Sequence, residues 1–203
     1  MSDRLITAAE KRRKGLTALY LDGEYAVSVD TVTLASSGYT VGQIITDEAL
    51  HDLLEIANRS RAKEKALYLI EYRSRTRKEL YDKLRPLYGE EAAEAVLERL
   101  EELGLINDEA YARDYAEQLI ERKHFSLERA AFELMRKGID RETAESVLAE
   151  FDPDPCDQIR ALLETKFSRR LSTEKDRLRT VNALKAMGFR WSDIRDCMED
   201  VDA

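Results

Sequence analysis

One pattern restricts the fold of this chain more than any other. An apolar triplet at helical spacing occurs three times, as Ala93, Val96 and Leu97, then Ala144, Val147 and Leu148, then Ile194, Cys197 and Met198, at offsets of 51 and 50 residues. Capped helix starts lie ahead of each triplet. Thr76-Arg77-Lys78-Glu79 reads as a capping box, in which the threonine hydroxyl accepts from the NH of Glu79 and the Glu79 carboxylate reaches back to the NH of Thr76. Ser126 caps a helix that runs through Ala130, Ala131 and Leu134 to Gly138, and Ser172 or Thr173 starts a third that ends at Gly188. A longer helix precedes each capped turn. The unit is therefore three helices, and three copies would bury their apolar faces against one another.

The boundaries agree. Gly104 closes the first copy, and Asn107 caps a helix over 108–122. In Asp152-Pro153-Asp154-Pro155 the prolines forbid a continuous helix, while Asp154 with Pro155 behind it starts the next one. The front of the chain differs. Leu16–Leu21 and Tyr25–Val29 flank Asp22-Gly23, the dipeptide a type I′ turn favours, and predict a β-hairpin. Residues 31–45 contain Gly38 and Gly42 without helical periodicity, which predicts one more short strand and a loop. The expected architecture is mainly α: a β-hairpin extension over 1–46, a linking helix over 47–61, and three-helix repeats over 62–104, 105–154 and 155–203. The competing reading is a single helical bundle in which the repetition is accidental.

With 203 residues, 43% of them hydrophobic, the chain can bury a core without metal or disulfides. Cys156 and Cys197 lie far apart and outside any Cys-x-x-Cys pair, so both read as ordinary buried or half-buried thiols. No apolar stretch is long enough to span a bilayer, and residues 1–15 are polar where a signal peptide would be apolar, so a cytoplasmic protein is expected. A formal net charge of −8 argues against a protein that coats nucleic acid. Its distribution argues otherwise. Residues 59–85 are basic, 90–109 acidic, and a second basic run follows at Lys166, Arg169, Arg170, Lys175, Arg177 and Arg179. Segregation of this kind presents local basic surface to an anionic partner.

The residues for catalysis are few. His51 and His124 lie in no zinc-like spacing, and neither a Gly-x-x-x-x-Gly-Lys-Ser/Thr loop nor a Gly-x-Gly-x-x-Gly is present. The carboxylates read as solvated helix faces. Trp191, the sole tryptophan, reads as a core plug, and Tyr111 and Tyr115 as packing. No catalytic, cofactor or metal site is expected.

Several of these segments resemble the RecX family. Gly104-Leu105-Ile106-Asn107-Asp108-Glu109-Ala110-Tyr111-Ala112 is similar to its Gly-apolar-Ile-Asp-Asp-x-x-Tyr-Ala signature. Arg75 and Thr76 with Glu79-Leu80 and Lys83-Leu84 resemble the first-repeat motif, and Leu134-Met135-Arg136-Lys137-Gly138-Ile139 the second. The front hairpin resembles the extension of longer members. Ser126-Leu127 lacks the Gly-Pro often found there, and the third copy matches loosely. The resemblance implies a regulator that lies in the groove of the RecA filament on single-stranded DNA, suppresses ATP turnover and strand exchange, and promotes filament disassembly. The negative net charge with only local basic runs predicts weak, salt-sensitive binding to DNA alone, and the missing motifs predict no enzymatic activity. A monomer without cofactors is expected. The filament or DNA contacts expected on this basis are Arg73, Arg75, Arg77, Lys78, Arg136, Lys137, Arg169, Arg170, Lys175 and Arg177, the first four as exposed side chains. The alternatives are a freestanding helical DNA-binding protein, against which the net acidity weighs, and a protein-only helical-repeat scaffold.

Overall fold

The computed structural model describes residues 3–168 and 173–199. Its contacts divide the chain into two compact units. One takes the residues up to Arg75 together with Glu79–Ile106, and the other takes Thr76–Lys78 with the residues from Asn107 onward.

In the first unit the hairpin forms as its sequence dictates. Strand β2 (Leu16–Leu21) pairs antiparallel with β3 (Glu24–Asp30), and the turn between them has φ of 52° at Asp22 and 91° at Gly23, the two positive values a type I′ turn requires. The sheet is larger than a hairpin. β1 (Asp3–Lys11) lies on the other side of β2, and β4 (Ile44–Thr46) pairs with β1, giving the order β3-β2-β1-β4 with every pairing antiparallel. The short strand expected within 31–45 is β4, but the segment also holds a helix, α1 (Thr31–Ser37). Its β-branched and serine content argues against a helix by propensity. The ends decide instead: the Asp30 carboxylate accepts from the NH groups of Val32 and Thr33, each at 3.0 Å, and Gly38 stops the helix at φ 78°.

Residues 47–61, expected as a linking helix, are the first half of α2 (Asp47–Tyr72), which runs unbroken into the first repeat. Thr46 caps it by accepting from the NH of Ala49. The helix serves two cores. Its first half packs Leu50, Leu53 and Ala57 with Ile6, Leu19, Leu21, Val29, Leu34 and Ile45 of the sheet and α1. Its second half packs Ala62, Ala66 and Leu69 with Leu80 and Leu84 of α3 (Arg77–Tyr88), with Ala93, Val96, Leu97 and Leu100 of α4 (Glu90–Glu102), and with Ile106.

The second unit contains the other two helix triplets. The first is α5 (Asp108–Glu117), extended by a π-helical turn (Gln118–Arg122), then α6 (Leu127–Arg136) and α7 (Arg141–Leu148). The next is α8 (Pro155–Thr165), α9 (Glu174–Ala186) and α10 (Trp191–Glu199). Each triplet has its own core: Ala112, Leu119, Leu134, Ile139 and Val147 in one, and Ile159, Leu163, Phe167, Leu184, Phe189 and Ile194 in the other. Four of the expected caps are in place. Asn107, Ser126, Asp154 and Thr173 each accept a hydrogen bond from a backbone NH two or three residues ahead. Ser172 lies outside the described residues. Cys197 is buried and Cys156 half-buried, both as free thiols.

Candidate functional site

The four cations around Thr76 do not form one exposed cluster. Arg73 and Arg75 belong to the first unit, Arg77 and Lys78 to the second. Arg73 is exposed, and its guanidinium forks onto the Glu79 carboxylate at 3.1 and 3.3 Å. Arg75 and Arg77 are half-buried, against the expectation of free side chains. The reason is structural. Arg75 Nε donates to the Leu69 carbonyl at 3.1 Å and so ties off the last turn of α2. At Arg77 it is the backbone NH that is engaged, donating to Asp108 Oδ1 at 2.8 Å, which places a carboxylate at the start of α3, where the helix dipole favours it. Lys78 is exposed at its end, but its stem lies against Gly138, where an added Cβ would collide with the Lys78 Cβ, Cγ and Cδ.

The same contacts explain the strongest sequence motif. Gly104 ends α4 in the left-handed region at φ 68°, Ile106 is buried in the first core, Asn107 caps α5, and Asp108 caps α3. The motif is architectural.

At the end of α6, Arg136 is exposed and the next residue, Lys137, half-buried. Arg136 pairs at 3.0 Å with Glu133, a carboxylate only 5% exposed that also holds Arg129 from the opposite side at 2.5 Å. Lys137 Nζ stands 5.8 Å from the Tyr115 ring centroid. In α9, Lys175 is exposed and Arg177 half-buried. Arg169 and Arg170 lie outside the described residues.

Sequence reasoning missed three side chains. Glu133 was counted among solvated carboxylates, although its spacing from Arg129 and Arg136, one turn on either side, was the available signal. Phe132 is 51% exposed with Arg129 over its ring. Trp191, expected as a core plug, is 54% exposed, because it occupies the first position of α10 and turns outward beside Lys185. Tyr111 and Tyr115 pack against the core as expected.

A cleft of 510 Å³ in the second unit is lined by Glu121, His124, Glu150, Asp152, Asp154 and Asp157 among others. Beside it, Glu150 accepts two hydrogen bonds from Arg113, each at 2.9 Å, which hold its carboxyl below the usual range. Among the described residues no group of three or more His, Cys, Asp or Glu is placed to hold a metal ion, and no helix is long and apolar enough to cross a membrane.

Comparison with known proteins places this architecture. Residues 62–100 match the family model for the first three-helix domain of RecX, and residues 107–148 the model for the second. The regulatory protein RecX of Clostridium acetobutylicum is 28% identical over 99% of this chain and 98% of its own length. That of Caldanaerobacter subterraneus subsp. tengcongensis is 31% identical over 80% of this chain and 84% of its own. Among solved structures, a crystal structure of regulatory protein RecX has the same fold, with a TM-score of 0.63 over 97% of this chain and 99% of the other at 23% identity. RecX from Lactobacillus salivarius aligns with a TM-score of 0.58 over 71% of this chain and 97% of its own, at 27% identity. With these likenesses running through both units, the chain belongs to the RecX family of regulatory proteins.

Proposed function

We propose that this chain regulates the RecA recombinase by binding the filament that RecA forms on single-stranded DNA, lowering its ATP turnover and strand exchange. The observation that carries this reading is the likeness to named RecX regulatory proteins along 99% of the chain. The charge pattern supports it: local bases on a chain of net charge −8 suit a surface made of protein and phosphate together better than bare DNA. Arg73, Lys78, Arg136 and Lys175, the exposed members of the basic set, are the contacts proposed first, with Arg169 and Arg170 from the sequence alone. Arg75, Arg77 and Lys137, which the architecture engages, act in support.

In this reading the protein is a cytoplasmic monomer of recombinational repair and the SOS response. It works by binding, without ATPase or nuclease activity of its own. Co-sedimentation separates filament from DNA: the protein should pellet with recombinase assembled on single strands and stay in solution with the strands alone at moderate salt. Equal partition in both would favour the freestanding DNA-binding alternative.

A further inference from the structure

Trp191 and Phe132 stand out because each is more than half exposed, each carries a cation on its ring, and one ion pair ties their neighbours together. Lys185 Nζ lies 4.7 Å from the Trp191 centroid, and Arg129 Cζ lies 5.2 Å from that of Phe132. The two pairs are joined. Glu128, one helical turn before Phe132 on the same face of α6, is bridged at 3.2 Å by Arg190, the residue immediately before Trp191. Arg129 is further fixed by the buried Glu133, which Arg136 shares, so its guanidinium is held between the Phe125 and Phe132 rings. Glu128 and Glu133 are thereby both bridged by arginine. Lys185 and the outer edge of Arg136 remain to meet negative charge.

An aromatic ring held by a cation, with its other face in water, is the arrangement on which unpaired bases stack, worth about 1–3 kcal/mol per base and tolerant of sequence. We infer that α6 and the start of α10 form a stacking site for single-stranded nucleic acid, with Phe132 and Trp191 receiving bases while Lys185 and Arg136 meet phosphates. Its biological setting rests on the filament reading above; its chemistry does not. A protein partner would also use Phe132 and the neighbouring exposed Met135, but the cations left beside the rings favour a polyanion that carries flat bases.

Trp191 is the sole tryptophan, so its fluorescence reports on the site directly. The full chain is titrated at low salt with oligothymidine of roughly fifteen nucleotides and with an abasic oligomer of equal phosphate number. Thymidine should quench Trp191 and bind about tenfold more tightly than the abasic strand. Phe132→Ala should remove most of that difference, and Phe132→Tyr should restore it, which separates stacking from damage to the fold. Equal affinity for the two strands, or binding of thymidine without a change in Trp191 emission, overturns the inference. So does quenching by recombinase without DNA, which would assign the face to protein. The filament reading is judged apart, by recombinase ATP turnover: an effect there without base-dependent quenching leaves that reading standing and removes this one, and the converse removes the filament reading alone.

Discussion

The Thr76 hydroxyl donates to the Lys137 carbonyl at 2.7 Å, and fifty residues along, the NH of Ser126 donates to the carbonyl of Met187 at 3.1 Å. Both bonds lie in the second unit. Each acceptor is the C-cap residue of a middle helix of the second unit. A glycine follows each acceptor, Gly138 at φ 93° and Gly188 at φ 90°, and an added Cβ would strike Lys78 in one joint and Ser126 and Arg129 in the other. The sequence period is thus also the period of a joint.

Gly138→Ala should therefore cost more than backbone strain alone. A left-handed alanine costs about 1–2 kcal/mol, and displacement of the Lys78 stem adds about 1–3 kcal/mol. Gly104→Ala is the control, since Gly104 also has positive φ but open space around its Cα. Urea denaturation should show a clearly larger loss for Gly138; equal losses would mean the joint has room to give.

Glu133→Ala should destabilise the second unit by about 2–4 kcal/mol, because it leaves Arg129 and Arg136 without the carboxylate between them. Replacement by glutamine, which keeps the shape and one acceptor, should lose less. Thermal melts of the two variants check the order.

Acid should weaken α7 and the α5–α7 contact. Thr143 holds Asp140 below its ordinary value of 3.8 by backbone and side-chain hydrogen bonds, and Arg113 holds Glu150 below 4.5. Groups with depressed folded values stabilise fully above their unfolded values, and that stability is lost as pH falls through the folded values. The melting temperature should thus fall with pH below about 4, less steeply for Asp140→Asn and Glu150→Gln than for the parent. Parallel curves would contradict the assignment.

Arg75→Ala should lower stability by about 1 kcal/mol through loss of its bond to the Leu69 carbonyl. Lys175→Glu, on an exposed side chain, should leave the melt unchanged and weaken the effect on recombinase. The reverse result would exchange their roles.

What the sequence disclosed was local. Asp22-Gly23, Asn107, Ser126, Asp154-Pro155 and Thr173 each act on backbone within a few residues, so their chemistry could be read directly. β1 could not, because Ile6 is its one fully buried side chain and the strand is held by backbone pairing to β2 and β4 on both sides. The half-buried Arg75 and Arg77 escaped for a related reason: the Leu69 carbonyl that the Arg75 guanidinium meets and the Asp108 carboxylate on the Arg77 backbone NH are placed by folding, which a run of bases does not encode. Trp191 shows the opposite error, since apolar character alone suggested burial where the first position of α10 faces water.

The central claim is most directly tested by the DNA-dependent ATP turnover of the cognate recombinase on preassembled filaments, measured as this protein is added. Turnover should fall progressively to a plateau at substoichiometric or equal amounts of protein, and Arg136→Glu with Lys175→Glu should need more protein for the same effect. If the parent protein leaves turnover unchanged and does not bind the filament, the proposed function is wrong, although the RecX fold stands.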